Sequence, residues 1–164
     1  LPGFQIMDMG YSPDGTYQVV LAGKVTAGEK KSRSRELARD GFFVLYENRV
    51  VKDAITGLEW VAGPDKDMSW NEAKAWVQSL NLDGGDWRMP TMDELKGLYK
   101  EGKGERNMTP LLRTTGTWVW SDETTRSSLA WAFCLHDGGP GTWLISEDGS
   151  HGHRAFAVRS GGNG

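Results

Sequence analysis

Two stretches of the chain place apolar side chains every three or four positions, and each is preceded by a helix-start signal. At Ser69-Trp70-Asn71-Glu72 the serine hydroxyl is placed to accept from the third helical N–H while Glu72 reaches back to the Ser69 N–H, a capping box that predicts a helix start. Trp70, Ala73, Trp76, Val77 and Leu80 then form one stripe toward a core, leaving Asn71, Glu72, Lys74 and Gln78 toward water. A second box, Thr91-Met92-Asp93-Glu94, follows Pro90, with Leu95, Leu98 and Tyr99 behind it and Gly102 positioned to end the helix. The segment Asn81–Arg88 between them is a glycine-bearing loop that brings Trp87 and Arg88 against the second helix.

Elsewhere the period is two. Tyr17–Leu21, after the turn signal Ser12-Pro13-Asp14-Gly15, predicts a first strand. Phe42–Tyr46 and Arg49–Lys52 flank Glu47-Asn48 at hairpin spacing. From Trp118 onward, Trp118–Ser121, Ala130–Leu135, Thr142–Ile145 and Arg154–Val158 read as an antiparallel meander, broken at Gly138-Gly139-Pro140-Gly141 and Asp148-Gly149-Ser150. Strands, two helices, then strands again is an α+β plan in which the last strand returns beside the early hairpin and brings the terminal strands together. Residues 24–41 carry Lys24, Lys30, Lys31, Arg33, Arg35 and Arg39 against Glu29, Glu36 and Asp40, and read as a solvated linker or short helix.

Composition narrows the classes. A length of 164 residues suits one core, and 38% hydrophobic with 25% charged residues excludes a disordered chain and gives no membrane insertion. The net charge of −3 argues against a nucleic-acid partner, which needs clustered excess Lys and Arg. Eight tryptophans stand against one cysteine, so no intramolecular disulfide staples the fold. The chain opens at Leu1, which leaves the compartment to be argued from elsewhere.

Several strings occur together and in order: Asp53-Ala54-Ile55-Thr56-Gly57-Leu58-Glu59-Trp60, Ser69-Trp70-Asn71-Glu72-Ala73, Gly85-Asp86-Trp87-Arg88-Met89-Pro90-Thr91-Met92-Asp93-Glu94-Leu95, Trp120-Ser121 and Val158-Arg159. In these the sequence resembles the Lcl C-terminal domain family, named for the end domain of a collagen-like bacterial surface adhesin. The resemblance implies a C-type-lectin-like domain over residues 42–160, related to formylglycine-generating enzymes, with residues 1–41 as an extension and 161–164 as a tail. It also implies a bacterial cell-envelope or extracellular location. Family members often carry a cysteine in the first helix and another in the last strand, where this chain has Val77 and Ala157, and Met89 stands for a usual leucine. The joint loss of both cysteines implies that Val77 and Ala157 touch as an apolar pair.

The candidate chemistry is sparse. Formylglycine-generating enzymes use a thiol pair, whereas Cys134 is alone among apolar strand neighbours and reads as a packed, inert thiol. His151 and His153 share a strand face, near Glu147, Asp148, His136 and Asp137, and could share a metal; exposed turn histidines are the plainer reading. Asp122 and Glu123 enter the long-loop region as candidate cation ligands, but the lectin calcium strings are missing, so no metal or other cofactor is expected. No Gly-x-Ser-x-Gly elbow is present. What remains is a binding surface between about Gly102 and Gly152, holding Trp118, Trp120, Trp131 and Trp143 with polar groups that give direction. Trp118 and Trp120, two apart on one strand, share a face and read as core; Trp143, after the glycine turn, reads as exposed. The ligand set expected is Trp143, Asp122, Glu123, Arg126, His136, Asp137, His151 and His153. The function expected is non-catalytic binding of a glycan, glycosaminoglycan or protein. A structural subunit of a surface appendage that self-associates is the alternative, and a formylglycine-generating-type oxidase comes third.

Overall fold

The structure is a computed structural model that describes residues 6–11, 17–21, 24–27, 34–126, 128–146 and 152–161. The chain divides into two compact units, Leu1–Glu36 and Leu37–Gly164. In the first, β1 (Ile6–Tyr11), β2 (Tyr17–Leu21) and β3 (Lys24–Ala27) form an antiparallel sheet in that order. Strand β2 is the one read from the sequence; the Ser12–Gly15 turn signal lies outside the described residues. The basic stretch 24–41 is neither linker nor helix where it is described. It supplies β3, with Val25 opposite Val20, and β4 (Glu36–Asp40). Strand β4 closes one edge of the larger unit's sheet, where charged side chains are at home because one side of the strand meets water.

The second unit is α+β. Its five-stranded sheet runs β12-β7-β6-β5-β4, with β5 Phe43–Tyr46, β6 Val51–Asp53, β7 Leu58–Ala62 and β12 Phe156–Ser160. The β5–β6 hairpin is as expected, but its turn holds three residues rather than two. Arg49 N–H donates to Tyr46 O, Tyr46 N–H donates to Val50 O, and Arg49 sits at φ 73°, the left-handed residue that a three-residue loop requires. The last strand does return to this sheet, though its neighbour is β7: Val158 lies opposite Trp60 and Ala157 opposite Val61. Its outer edge is covered by Arg88, whose backbone exchanges hydrogen bonds with Val158 at 3.0 and 2.9 Å.

A four-stranded sheet runs β10-β9-β8-β11, with β8 Trp118–Thr125, β9 Leu129–Cys134, β10 Pro140–Leu144 and β11 His153–Arg154. Strands β8, β9 and β10 are the expected meander. The final segment departs from it, because β11 pairs in parallel with β8 before the chain crosses at Ala155 into β12. One stretch of chain therefore stitches the two sheets together.

Both helices start where their capping boxes put them. α1 spans Trp70–Ser79 behind Ser69 and Glu72, and α2 spans Met92–Leu98 behind Thr91 and Glu94, with both reciprocal bonds formed in each. α2 is shorter than expected, capped at Tyr99 rather than carried on to Gly102. Period-two strands between two helices give two cores. On one side Trp70, Ala73 and Val77 of α1 pack with Val61, Trp120, Ala132 and Ala157; on the other Leu95 and Leu98 of α2 pack with Val51, Trp60, Val119, Phe133 and Val158. Val77 and Ala157 are both buried in the first core, where α1 packs on β12.

Candidate functional site

The expected ligand set does not converge. Antiparallel register places Trp118 opposite Cys134 and Thr125 opposite Leu129, so the two ends of the β8–β9 ladder are about 20 Å apart at roughly 3.3 Å per residue. His136 and Asp137 occupy the turn at the Cys134 end, and Arg126 the turn at the Leu129 end. His153, beside Trp118, and Trp143, opposite Ala130, turn into the interior, and His151 lies outside the described residues.

Trp143 is the main correction. It is half-buried, because alternation along β10 turns Gly141, Trp143 and Ile145 inward. Its ring packs edge-to-face on Trp118 at 4.3 Å and on His153 at 4.4 Å, and Trp120 stacks on His153 at 4.5 Å. Gly141 makes the room: a Cβ there would run into the Trp143 and Trp118 rings. His153 is therefore a buried member of an aromatic cluster and not a solvent-facing turn histidine. Trp118 and Trp120 share a face as expected, with Trp120 tied by its indole N–H to Met68 O at 2.8 Å.

The acidic pair is re-aimed by a bulge. The β8–β9 register slips between Trp120 and Thr124, where three residues of β8 oppose Trp131, and Ser121 Oγ donates to Trp131 O at 2.9 Å. Glu123 then accepts from the Met92 N–H at 2.7 Å, capping the first turn of α2, and Asp122 N–H donates to Pro90 O. Partial burial, then the charge of Glu123, pushes the Asp122 carboxyl up. Beside it stands a pair the sequence reading left out of the site, Arg88 and Glu94. These two bond bidentately at 2.7 Å in both arms, and the guanidinium holds the Glu94 carboxyl below its usual range.

At the other end of the ladder, the Gly139 N–H and then the Cys134 thiol hold the exposed Asp137 carboxyl low. Burial pushes the Cys134 thiol up, as for a packed cysteine. Among the described residues no three His, Cys, Asp or Glu side chains are grouped to hold a metal ion, and no helix is long and apolar enough to cross a membrane.

Trp131, half-buried, stands on the opposite face of the meander from Trp143. Opposed residues in an antiparallel ladder share a face, so Leu129 with Leu144 and Trp131 with Thr142 stand together. Leu129 and Trp131 are half-buried, Thr142 is exposed and Leu144 is 44% exposed. α2 covers the same face nearer Val119 and Phe133, and this far end is left beside the bulge and Arg126.

Two sheets packed with two short capped helices, one of the sheets a bulged meander, define an α+β domain. Residues 49–159 match the Lcl C-terminal domain model, and the chain belongs to that family. No curated protein matches the sequence.

Proposed function

We propose that the protein is a non-catalytic ligand-binding module of a bacterial surface or secreted protein, taking a glycan, a glycosaminoglycan or a protein on the outer face of the meander. The observation that carries this reading is the uncovered face of Trp131, Leu129, Thr142 and Leu144, bordered by the exposed Asp122 and Arg126. A flat indole beside a hydroxyl and fixed charges suits stacking on a sugar ring or burial under a partner side chain, with the polar groups setting direction. Rigidity supports it: the inner face of β10 is locked by the Trp118–Trp143 contact, so its outer face is held still for a partner. The experiment is to probe arrays of glycans, glycosaminoglycans and proteins with the whole chain. Binding to one class, weakened by Thr142→Lys, is expected; no binding to any class together with a measured turnover overturns the reading.

An assembly subunit is the second reading, and β10 supports it too, as an edge strand of its sheet. Self-association that grows with concentration and is lost on substituting Leu144 by Asp would favour it. A chain that stays monomeric at high concentration would not.

A further inference from the structure

The outer face of the meander is apolar along its middle and acidic along one side. Leu129 stands opposite Leu144 and Trp131 opposite Thr142, while on β8 Thr125 stands opposite Leu129. Two leucines thus lie on the indole's face, and Leu144 is among the few large apolar side chains of the described residues that are exposed. A sugar ring carries hydroxyls all round its rim, and a site for one sets several directed polar groups beside the stacking ring. Here the neighbours of the indole are leucines and threonines. An apolar middle with a polar rim is the make-up of a protein interface.

The charges separate the classes further. Residues 118–146 contain one Lys or Arg, Arg126, against Asp122, Glu123 and Asp137, and α2 adds Asp93 and Glu94 against Lys96. A sulfated chain is a polyanion and is held by clustered cations, so this balance works against it. The bulge opposite Trp131 carries the exposed Asp122, whose N–H donates to Pro90 O. Arg88, the cation whose charge reaches Asp122, already has both arms on Glu94. The charge of Glu123 beside it raises the affinity of the Asp122 carboxyl for a proton, and favours any other cation brought to it in the same way.

Resting on the outer-face reading, we propose that the partner is a polypeptide segment and not a carbohydrate, presenting a large apolar side chain beside a lysine or arginine. The apolar side chain covers Trp131, Leu129 and Leu144, and the cation faces Asp122.

The test uses the intact chain and three probes: a displayed library of random linear peptides, heparin oligosaccharides, and a panel of neutral glycans. The library should enrich a large apolar residue within two positions of Lys or Arg. A selected peptide should shift the Trp131 indole N–H signal of the nitrogen-15-labelled chain saturably, and Leu144→Glu should weaken it at least about tenfold. Replacing the peptide's basic residue by Gln, or Asp122→Asn in the chain, should each weaken binding roughly two- to five-fold, the scale of an exposed charge pair, and less so at high salt. Heparin and the neutral glycans should leave the Trp131 signal in place. The proposal is overturned if the library yields no binder, if it enriches acidic residues, or if binding ignores both the Gln analogue and Asp122→Asn. Heparin or a neutral glycan that shifts Trp131 in the unaltered chain but not in Leu144→Glu overturns it while the outer-face reading stands. If no probe of any class moves Trp131, both fail.

Discussion

One guanidinium at the junction between the two sheets gathers two carboxylates, and its removal should show in the acid stability of the protein. Arg154 sits on β11 just before the chain crosses between sheets and is 8% exposed. Its Nε donates to Asp65 at 2.8 Å, its Nη1 to Asp67, and its Nη2 to the Thr115 hydroxyl at 3.3 Å. It thereby ties the loop before α1 and the loop before β8 to the crossing strand. The Arg154 hydrogen bond, followed by the Thr115 N–H, holds the Asp65 carboxyl down to about 2 from its usual 3.8. A carboxylate with a depressed value stabilises the fold above its unfolded value, and the contribution is lost as pH falls through the folded value, so the window runs from about pH 4 to about pH 2.

At full weight a fall from 3.8 to about 2 amounts to about 2.4 kcal/mol. The Asp65 side chain is 42% exposed, and solvent screening reduces this to about 1 kcal/mol. Denaturant unfolding at pH 7, 4, 3 and 2 should therefore show the unaltered chain losing about 1 kcal/mol more than Asp65→Asn between pH 4 and pH 2. Arg154→Met keeps the apolar stem but removes the charged hydrogen bonds, and should cost about 2–3 kcal/mol at pH 7 and flatten the same pH difference. Parallel acid profiles for the unaltered chain and Asp65→Asn, or a coupling below about 0.5 kcal/mol in the double-mutant cycle, would refute the reasoning.

Three further outcomes are expected. Val77→Cys with Ala157→Cys should form a disulfide on oxidation, seen as loss of two alkylatable thiols, and stabilise the chain by about 2–4 kcal/mol, since both positions are buried in one core where α1 meets β12. Gly97→Ala should stabilise by about 0.5–1 kcal/mol in thermal or denaturant melts, because its Cβ meets open space in a helix interior. Gly141→Ala should destabilise by about 1–3 kcal/mol and collapse the near-UV circular dichroism of the Trp118–Trp143 pair, because its Cβ overlaps both rings.

The parts of the fold that were legible in the sequence are those fixed by neighbours in the chain. A capping box spans four residues and a helical stripe ten, so Ser69–Glu72 and Thr91–Glu94 announced α1 and α2, and a period of two announced β8, β9 and β10. What depends on distant partners was not legible. The sequence reads Arg154–Val158 as one strand, but its split at Ala155 and the parallel pairing of His153 and Arg154 with Trp118 and Val119 are set by those distant partners. The basic residues of β3 and β4 read as solvated because charge dominates their composition, while strand formation there comes from pairing with residues elsewhere.

The candidate site was legible in kind but not in membership. Period two gave the face-sharing of Trp118 with Trp120, but inward from outward on β10 is decided by cross-strand partners. Thr142 opposite Trp131 and Gly141 beneath the Trp143 ring settle it, and they turn Trp143 inward. The bulge at Ser121–Glu123 was equally hidden. An acidic pair that resembles a cation site spends Glu123 on the N-terminus of α2, a cap supplied from 31 residues away.

Ligand binding on the outer face of the meander is the proposal on which the rest depends. Its most direct measurement is the affinity of the intact chain, against that of Leu144→Glu and of Arg126→Glu, for whichever glycan, glycosaminoglycan or protein the arrays return. Both positions are exposed, so both variants should melt with the unaltered chain. Leu144→Glu should lose at least about tenfold, the scale of burying an unpaired charge in an interface, and Arg126→Glu should change less, with stronger salt dependence. Affinities unchanged in both variants would contradict it.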